Sequence, residues 1–407
     1  GLRRDTMLLL TLNTYYKLTG VVLRMLVSRK LGSGEIGLYF FAISFAESFR
    51  LLASFSLDPV LMRRVVTAPD EAAGLLARAL GFRLLSSPVY LAAVAAAALA
   101  FTGANWRVVA VVALFTLFED IYASLGAFFL ATRRVPLSVA ISVGIQTLFL
   151  GAVIVGFKVN PSLGTLLGVS LGRTVALVVT GLLVTHRFLV PLRIRWDPGF
   201  VKTGVPFLLT TFLGQMREKL TTLLLGFLTT YAVVGHYQLA YQVLFATFFV
   251  PASVGTAFFP QLSERGFTAE NHRIFLRSLW GLAGLGLLGT GAVYLFAQPL
   301  ARLLYGSLSA EIVPLLRNLA PLLPLRFLEV PMTSALQAVH QEKKVLGILG
   351  VGTGTSLVLG LALIPAFGAG GAVRALLFSA ALRVGMLAWC LRGLLRSARS
   401  PGMTATD

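Results

Sequence analysis

The run TMLLLTLNTYYKLTGVVLRMLVS, Thr6 to Ser28, is long enough to cross a bilayer, yet it holds two cations. A hydrocarbon core of about 30 Å takes roughly 20 helical residues. Within the run Asn13, Lys17, Gly20 and Arg24 recur at the helical repeat and share one face. The next apolar stretch, 36–62, places Ser44, Glu47, Ser54 and Asp58 on a common face, with Arg50 one turn from Glu47 and Ser54. Insertion scales charge about 2.5–3.5 kcal/mol for a Lys or Arg near the bilayer centre. Such residues turn inward, to a partner or to water. The hairpin therefore reads as one wall of a polar, cationic, water-filled cavity.

Composition agrees with a polytopic membrane protein. Hydrophobic residues make up 57% of the chain and charged residues 13%, with a mean hydropathy of +0.83. Soluble domains average about 45–50% apolar and 25% charged. The formal charge of +19 does not call for nucleic acid, because the basic residues sit in short loops between apolar runs. The single cysteine, Cys390, excludes an intrachain disulfide, and the four scattered histidines have no metal-ligand spacing. No metal and no cofactor is expected. The first run lacks a small-residue cleavage site, so no cleavable signal is expected either.

About twelve runs approach membrane length: 6–28, 36–62, 75–101, 106–131, 136–157, 161–186, 203–229, 235–262, 275–298, 309–338, 345–365 and 369–393. Pro314, Pro321, Pro324 and Pro331 predict a broken helix over 309–338. With this alternation, nineteen Lys or Arg lie in the loops of one side and five in those of the other. The positive-inside rule then puts both termini in the cytoplasm. The basic connection 187–202 lies at the chain's midpoint and ends in Trp196-Asp197-Pro198-Gly199. It predicts a cytoplasmic linker between a six-helix lobe, 1–186, and a second, 203–407, with a basic tail. Gly37-Leu-Tyr39-Phe-Phe-Ala42 recurs as Gly235-His-Tyr237-Gln-Leu-Ala240, each opening the second helix of its half. Six spans per half give repeats of the same orientation, related by an axis near the membrane normal. The expected fold is all-α, two such lobes with a transport site between them.

Ten cations fall inside the predicted spans: Lys17, Arg24, Arg50, Arg173, Arg217, Lys219, Arg317, Arg326, Arg374 and Arg383. Lys17, Arg50, Arg173 and Arg326 lie nearest the midplane. Arg83 is close enough to a cytoplasmic end to snorkel. Six acids are available to pair: Glu47, Asp58, Glu119, Asp120, Glu218 and Glu329. Glu47 with Arg50, and Arg326 with Glu329, are spaced for local pairing on a helix. Structural ion pairs and a cavity for an anion are both open for any one arginine. Cations outnumber acids, and the surplus asks for an anionic ligand taken by Lys17, Arg24, Arg50, Arg173, Arg217 and Arg326. Tyr237 with Tyr241, and Gln238 with Gln242, form polar stripes suited to a glycan or equally to hydrogen bonds between helices. Glu47, Asp58 and Glu119 are the candidates for coupling to H⁺ or Na⁺. No nucleotide-binding loop is present, and no loop is long enough for an extramembrane catalytic domain.

Several motifs, taken in order, resemble one family. Leu31-Gly32-Ser-Gly-Glu35-Ile36-Gly37-Leu-Tyr39 follows a charged first helix, and Leu52-Ala-Ser-Phe-Ser-Leu57-Asp58 follows in the second. Val205-Pro206, Thr222-Leu-Leu-Leu-Gly226, Gly235-His-Tyr237 and Phe259-Pro260-Gln-Leu-Ser263 open the second half. Leu363-Ile364-Pro365-Ala-Phe367-Gly368-Ala-Gly-Gly371-Ala372 precedes the last helix. Together they are similar to polysaccharide flippases of the O-antigen type, in the multidrug/oligosaccharidyl-lipid/polysaccharide exporter superfamily. Where that family often has an acid before Thr222, this chain has Thr221. The resemblance implies a V-shaped, two-lobed transporter of the cytoplasmic (inner) membrane. It would move an undecaprenyl-diphosphate-linked oligosaccharide by alternating access, for surface polysaccharide or lipopolysaccharide synthesis. A lipid-linked oligosaccharide, membrane lipid, and a polysaccharide polymerase with chain-length proteins are the implied partners. The alternatives are a drug or cation antiporter of the same superfamily, which would want an acidic cavity, and a membrane glycan polymerase or glycosyltransferase, which would want a large outer loop.

Overall fold

The structure, a computed structural model, describes residues 2–188, 197, 199–200, 205–265 and 269–397. Most of the expected linker 187–202, the basic tail beyond 397 and the Asn13 side chain lie outside the described residues. Every regular element among the described residues is helical. The chain divides into two compact units, residues 1–215 and 216–407.

In the first unit α1 covers Leu2–Lys30. A second, broken span comprises α2 Ser33–Ser48, α3 Arg50–Ser54 and α4 Leu57–Thr67. Four unbroken helices follow: α5 Ala72–Phe101, α6 Trp106–Ala131, α7 Val135–Val159 and α8 Leu163–Phe188. Glu35 fixes the starts of α2 and α8. Its carboxylate accepts the backbone N–H of Gly32 at 3.2 Å, and that of Leu163 at 3.3 Å, tying the N-termini of α2 and α8 together. The break in the second span occurs at Phe55 and Ser56, both in the left-handed region at φ 47° and 54°. A break inside a membrane frees backbone carbonyls that lipid cannot satisfy. Helix α5 supplies a donor there, the Ser86 hydroxyl bonding the Ala53 carbonyl at 3.1 Å, and at the earlier bend by Phe49 its Tyr90 bonds the Ala46 carbonyl at 3.2 Å.

In the second unit α9 spans Val205–Leu228, its first turns counted with the first unit. A bent pair follows, α10 Tyr231–Phe245 and α11 Phe249–Arg265, then the long α12, Ala269–Tyr305. The expected proline-rich break is present: α13 Ser309–Leu319 and α14 Leu322–Ala338 part at Ala320–Pro321. The carbonyl of Ala320 is taken by the Thr290 hydroxyl of α12 at 3.0 Å. Gly286 makes this contact possible, since a Cβ there would lie 2.6 Å from the Pro324 Cα. The last helical stretch, α15 Glu342–Ser397, reverses at Gly368, which has φ 53° and ψ −132°. A Cβ on Gly371 would lie 2.2 Å from the Leu363 carbonyl oxygen. Residues eight apart on a straight helix are about 12 Å apart along the axis. So α15 is two arms of a hairpin.

Six helices among the described residues are long and apolar enough to cross a membrane, or eight if each bent pair is one span. The protein is a multi-pass membrane protein. Counting both arms of α15, separating α12 from the α13–α14 pair, and including the charged α1 and α9 gives twelve segments in the expected places. Helices α1 and α9 are less apolar than the rest, with Lys17 and Arg24 in α1 and Arg217, Glu218 and Lys219 in α9.

Candidate functional site

The first unit gathers four charges at the break in its second span. Had 36–62 been one helix, Asp58 would have faced the same way as Glu47. The left-handed residues Phe55 and Ser56 instead turn Asp58 toward α5 and α6. There its Oδ1 accepts from Arg83 Nη2 at 2.7 Å and from the Ser124 hydroxyl at 2.7 Å. Arg83 Nε completes the triangle by donating to Ser124 at 2.6 Å. Arg83 is 1% exposed, so it does not snorkel; the Asp58–Ser124 pocket holds it inside. Arg50 pairs with Asp120 across to α6, a partner beyond the local Glu47 that spacing suggested. Next to Asp120, Glu119 points the other way around α6 and takes Arg173 of α8, whose guanidinium also lies over the Phe149 ring. Each acid of the pair thus has its own arginine, and with Arg83–Asp58 these three ion pairs balance.

The second unit does not balance. Glu329 of α14 accepts from Arg383 Nε at 2.8 Å, Arg217 Nη1 at 3.0 Å and Arg326 Nη1 at 3.4 Å. Glu218 of α9 accepts from Arg217 Nη2 at 3.0 Å and Arg326 Nη2 at 3.2 Å. The Tyr241 hydroxyl donates to its other oxygen at 3.2 Å. Three arginines share two carboxylates, leaving one unit of positive charge. Arg217 Nε, Arg326 Nε and Arg383 Nη2 are buried with no hydrogen-bond partner among the described residues. Gly352 admits Arg383 to this cluster: a Cβ at 352 would meet its Cγ and Cδ at 2.5 Å. Burying ions in low dielectric costs several kcal/mol each, and is offset only when every charge has close partners. Glu329, with three guanidinium groups, is the hinge of that compensation. A cluster of arginine donors with a net positive charge can hold a carboxylate or a phosphate.

Residues 2–265, well over half of the chain, match the family described as polysaccharide biosynthesis protein. The chain belongs to that family. No curated protein matches it in sequence. Solved structures do match over nearly its whole length. A lipid II flippase, MurJ, in an inward closed conformation superposes with a TM-score of 0.71 at 13% identity, over 97% of this chain and 90% of that one. An inward-facing multidrug resistance transporter of the MATE family, in the MOP superfamily, gives 0.68 at 14% identity, over 95% and 96%. A MOP superfamily transporter from Pyrococcus furiosus, described as having a binding pocket of reverse polarity, gives 0.59 at 15% identity, over 96% and 94%. This polysaccharide biosynthesis protein therefore has the MOP transporter fold, and the proteins it is similar to are transporters and flippases.

Within this family member the remaining residues singled out by the sequence fall in different settings. Lys17 is exposed on α1. Its neighbours Tyr15 and Thr19 turn toward α7, bonding Thr147 at 2.6 Å and Gln146 at 3.3 Å. Arg24 folds along its own helix, its Nη2 3.4 Å from where a Cβ of Gly20 would be. Tyr237 is buried and stacks on Tyr241 with centroids 5.9 Å apart. Gln238 is buried and donates to Thr222 of α9. Tyr237 and Gln238 are taken up by packing, Tyr241 joins the charge cluster through Glu218, and of that stripe only Gln242 is half-buried. Glu47 is half-buried on α2. Sequence reasoning did not include Arg83, Arg383 or Ser124 among the site residues. The available signal was the depth of Arg83 and Arg383 within otherwise apolar runs, while a lone serine carries none.

Proposed function

We propose that this chain is a flippase that carries an undecaprenyl-diphosphate-linked oligosaccharide from the cytoplasmic to the outer leaflet of the cytoplasmic membrane. The cycle is alternating access, with both termini on the cytoplasmic side, and involves no covalent chemistry. Membership of the polysaccharide biosynthesis family supports a glycan cargo. The observation that carries the reading is the surplus positive charge around Arg217, Arg326 and Arg383, which suits a diphosphate. In the first unit Arg50 and Arg173 are each paired with an acid, so among the cations considered there only Lys17, exposed on α1, and Arg24 stay as candidates for an anionic group. The same surplus argues against the MATE-like alternative, because a cationic drug would meet repulsion at this cluster.

The driving force in this reading is electrical. An inside-negative potential favours outward movement of negative charge by about 2.3 kcal/mol per charge per 100 mV. Asp58 and Glu119 are engaged by Arg83 and Arg173, and with half-buried Glu47 they are the acids considered for coupling to H⁺ or Na⁺. Gln242 is the residue of the α10 stripe best placed to meet sugar hydroxyls. A polymerase and chain-length proteins would consume the product at the outer face.

The test is a reconstituted assay. Proteoliposomes containing the protein and a fluorescent undecaprenyl-diphosphate oligosaccharide are exposed to a membrane-impermeant quencher or lectin. Labelled lipid initially in the inaccessible leaflet should become accessible at least tenfold faster than in protein-free vesicles. An imposed potential should change that rate. Rates equal to those of empty vesicles, together with export of a cationic dye, would reverse the assignment in favour of the antiporter.

A further inference from the structure

We propose that Glu218 is a built-in stand-in for the substrate's anionic group, occupying the arginine donors of the second unit until a phosphate displaces it. This rests on the anion-binding reading above and names what the arginines hold in the absence of cargo.

The two glutamates share two arginines but are not equivalent. Arg217 and Arg326 each give one terminal nitrogen to Glu218 and the other to Glu329. The Glu329 side chain is 1% exposed and also holds Arg383, whereas that of Glu218 is 28% exposed. Removing Glu329 would strand three guanidinium groups in a low dielectric. Removing Glu218 would leave Arg217 and Arg326 still paired through their other nitrogens. Glu329 is therefore fixed, and Glu218 is exchangeable.

What Glu218 leaves behind is a phosphate-shaped set of donors. One of its oxygens receives Arg217 Nη2 and Arg326 Nη2, and the other receives the Tyr241 hydroxyl. Two neighbouring, charged acceptor oxygens are the feature a phosphate shares with a carboxylate. Arg217, partly exposed beside Glu218, gives an incoming anion its approach. A neutral sugar has no charge with which to compete for these donors, so the exchange selects the diphosphate end of a glycolipid. The same carboxylate lowers the cost of holding the arginines within the membrane while no cargo is bound.

The experiment uses the full-length protein purified in detergent, with inorganic pyrophosphate as the probe in titration calorimetry. Wild type should bind weakly, and Glu218→Ala at least tenfold more tightly, because the internal competitor is gone. Thermal unfolding of Glu218→Ala should begin lower than wild type, and pyrophosphate should raise it by more than it raises wild type. If Glu218→Ala is not recovered folded, Glu218→Gln, which keeps the volume and loses the charge, should shift affinity in the same direction. Equal or weaker binding by the folded variant, with wild-type binding intact, would overturn the role of Glu218 alone. Absence of binding by both folded proteins would overturn the anion site itself, and this proposal with it.

Discussion

At the scale of single residues, the informative feature is how unequally the buried charges are compensated. Glu329 neutralises three arginines, so Glu329→Gln should be among the most destabilising single changes in the chain. Breaking one partner of a buried pair costs about 3–5 kcal/mol. A fall in the unfolding midpoint of purified protein larger than that for Asp58→Asn is the expected result, since Asp58 is partly exposed and holds one arginine. Gly352 gives a second prediction by a different mechanism. Arg383 is held by Glu329 at 2.8 Å and by Ser379 at 3.3 Å, so it cannot retreat from an added side chain. Overpacking of this kind costs about 1–3 kcal/mol, and Gly352→Val should show that loss while Gly354→Val, where a Cβ meets nothing within 4 Å, should not. These residues also mark the limits of reading the sequence. The Arg326–Glu329 spacing named its pair correctly because i, i+3 neighbours on a helix touch. The Glu47–Arg50 spacing gave no hint of the close partner of Arg50, Asp120, seventy positions away. Long-range pairs leave no trace in local spacing.

At the scale of elements, breaks decide where the charges point. The prolines of 309–338 advertised one break, because proline removes a backbone donor and clashes with the preceding turn. The break at Phe55–Ser56 had no such signal, and treating 36–62 as one helix put Asp58 on the wrong face. The hairpin in α15 was legible as two runs, 345–365 and 369–393, separated by Gly-rich sequence. Its turn depends on Gly368, whose φ of 53° and ψ of −132° suit glycine and strain any side chain. Such strain costs about 1–3 kcal/mol. Gly368→Ala should therefore lower the yield of folded protein and the unfolding midpoint. Gly370→Ala, where a Cβ meets nothing within 4 Å and φ is ordinary, is the matched control, and equal effects from the two would refute the turn as the cause.

At the scale of the whole molecule, composition and loop charge were enough to read a polytopic membrane protein of about twelve segments. The charge asymmetry makes a prediction about sidedness. In a Cys390→Ser background, a cysteine placed at Gly103 should react with a membrane-impermeant maleimide added outside intact cells. One placed at Arg133 should react only after the cells are permeabilised. The reverse pattern would invert the orientation. The cation surplus could be counted from sequence, but its location could not, because cancellation depends on which acids each arginine reaches after folding. In the first unit all the described ion pairs balance; in the second they do not. That imbalance divides the labour of adaptation. A lineage exchanging one anionic cargo for another, or for a neutral one, need alter only a handful of side chains in the later half of its gene.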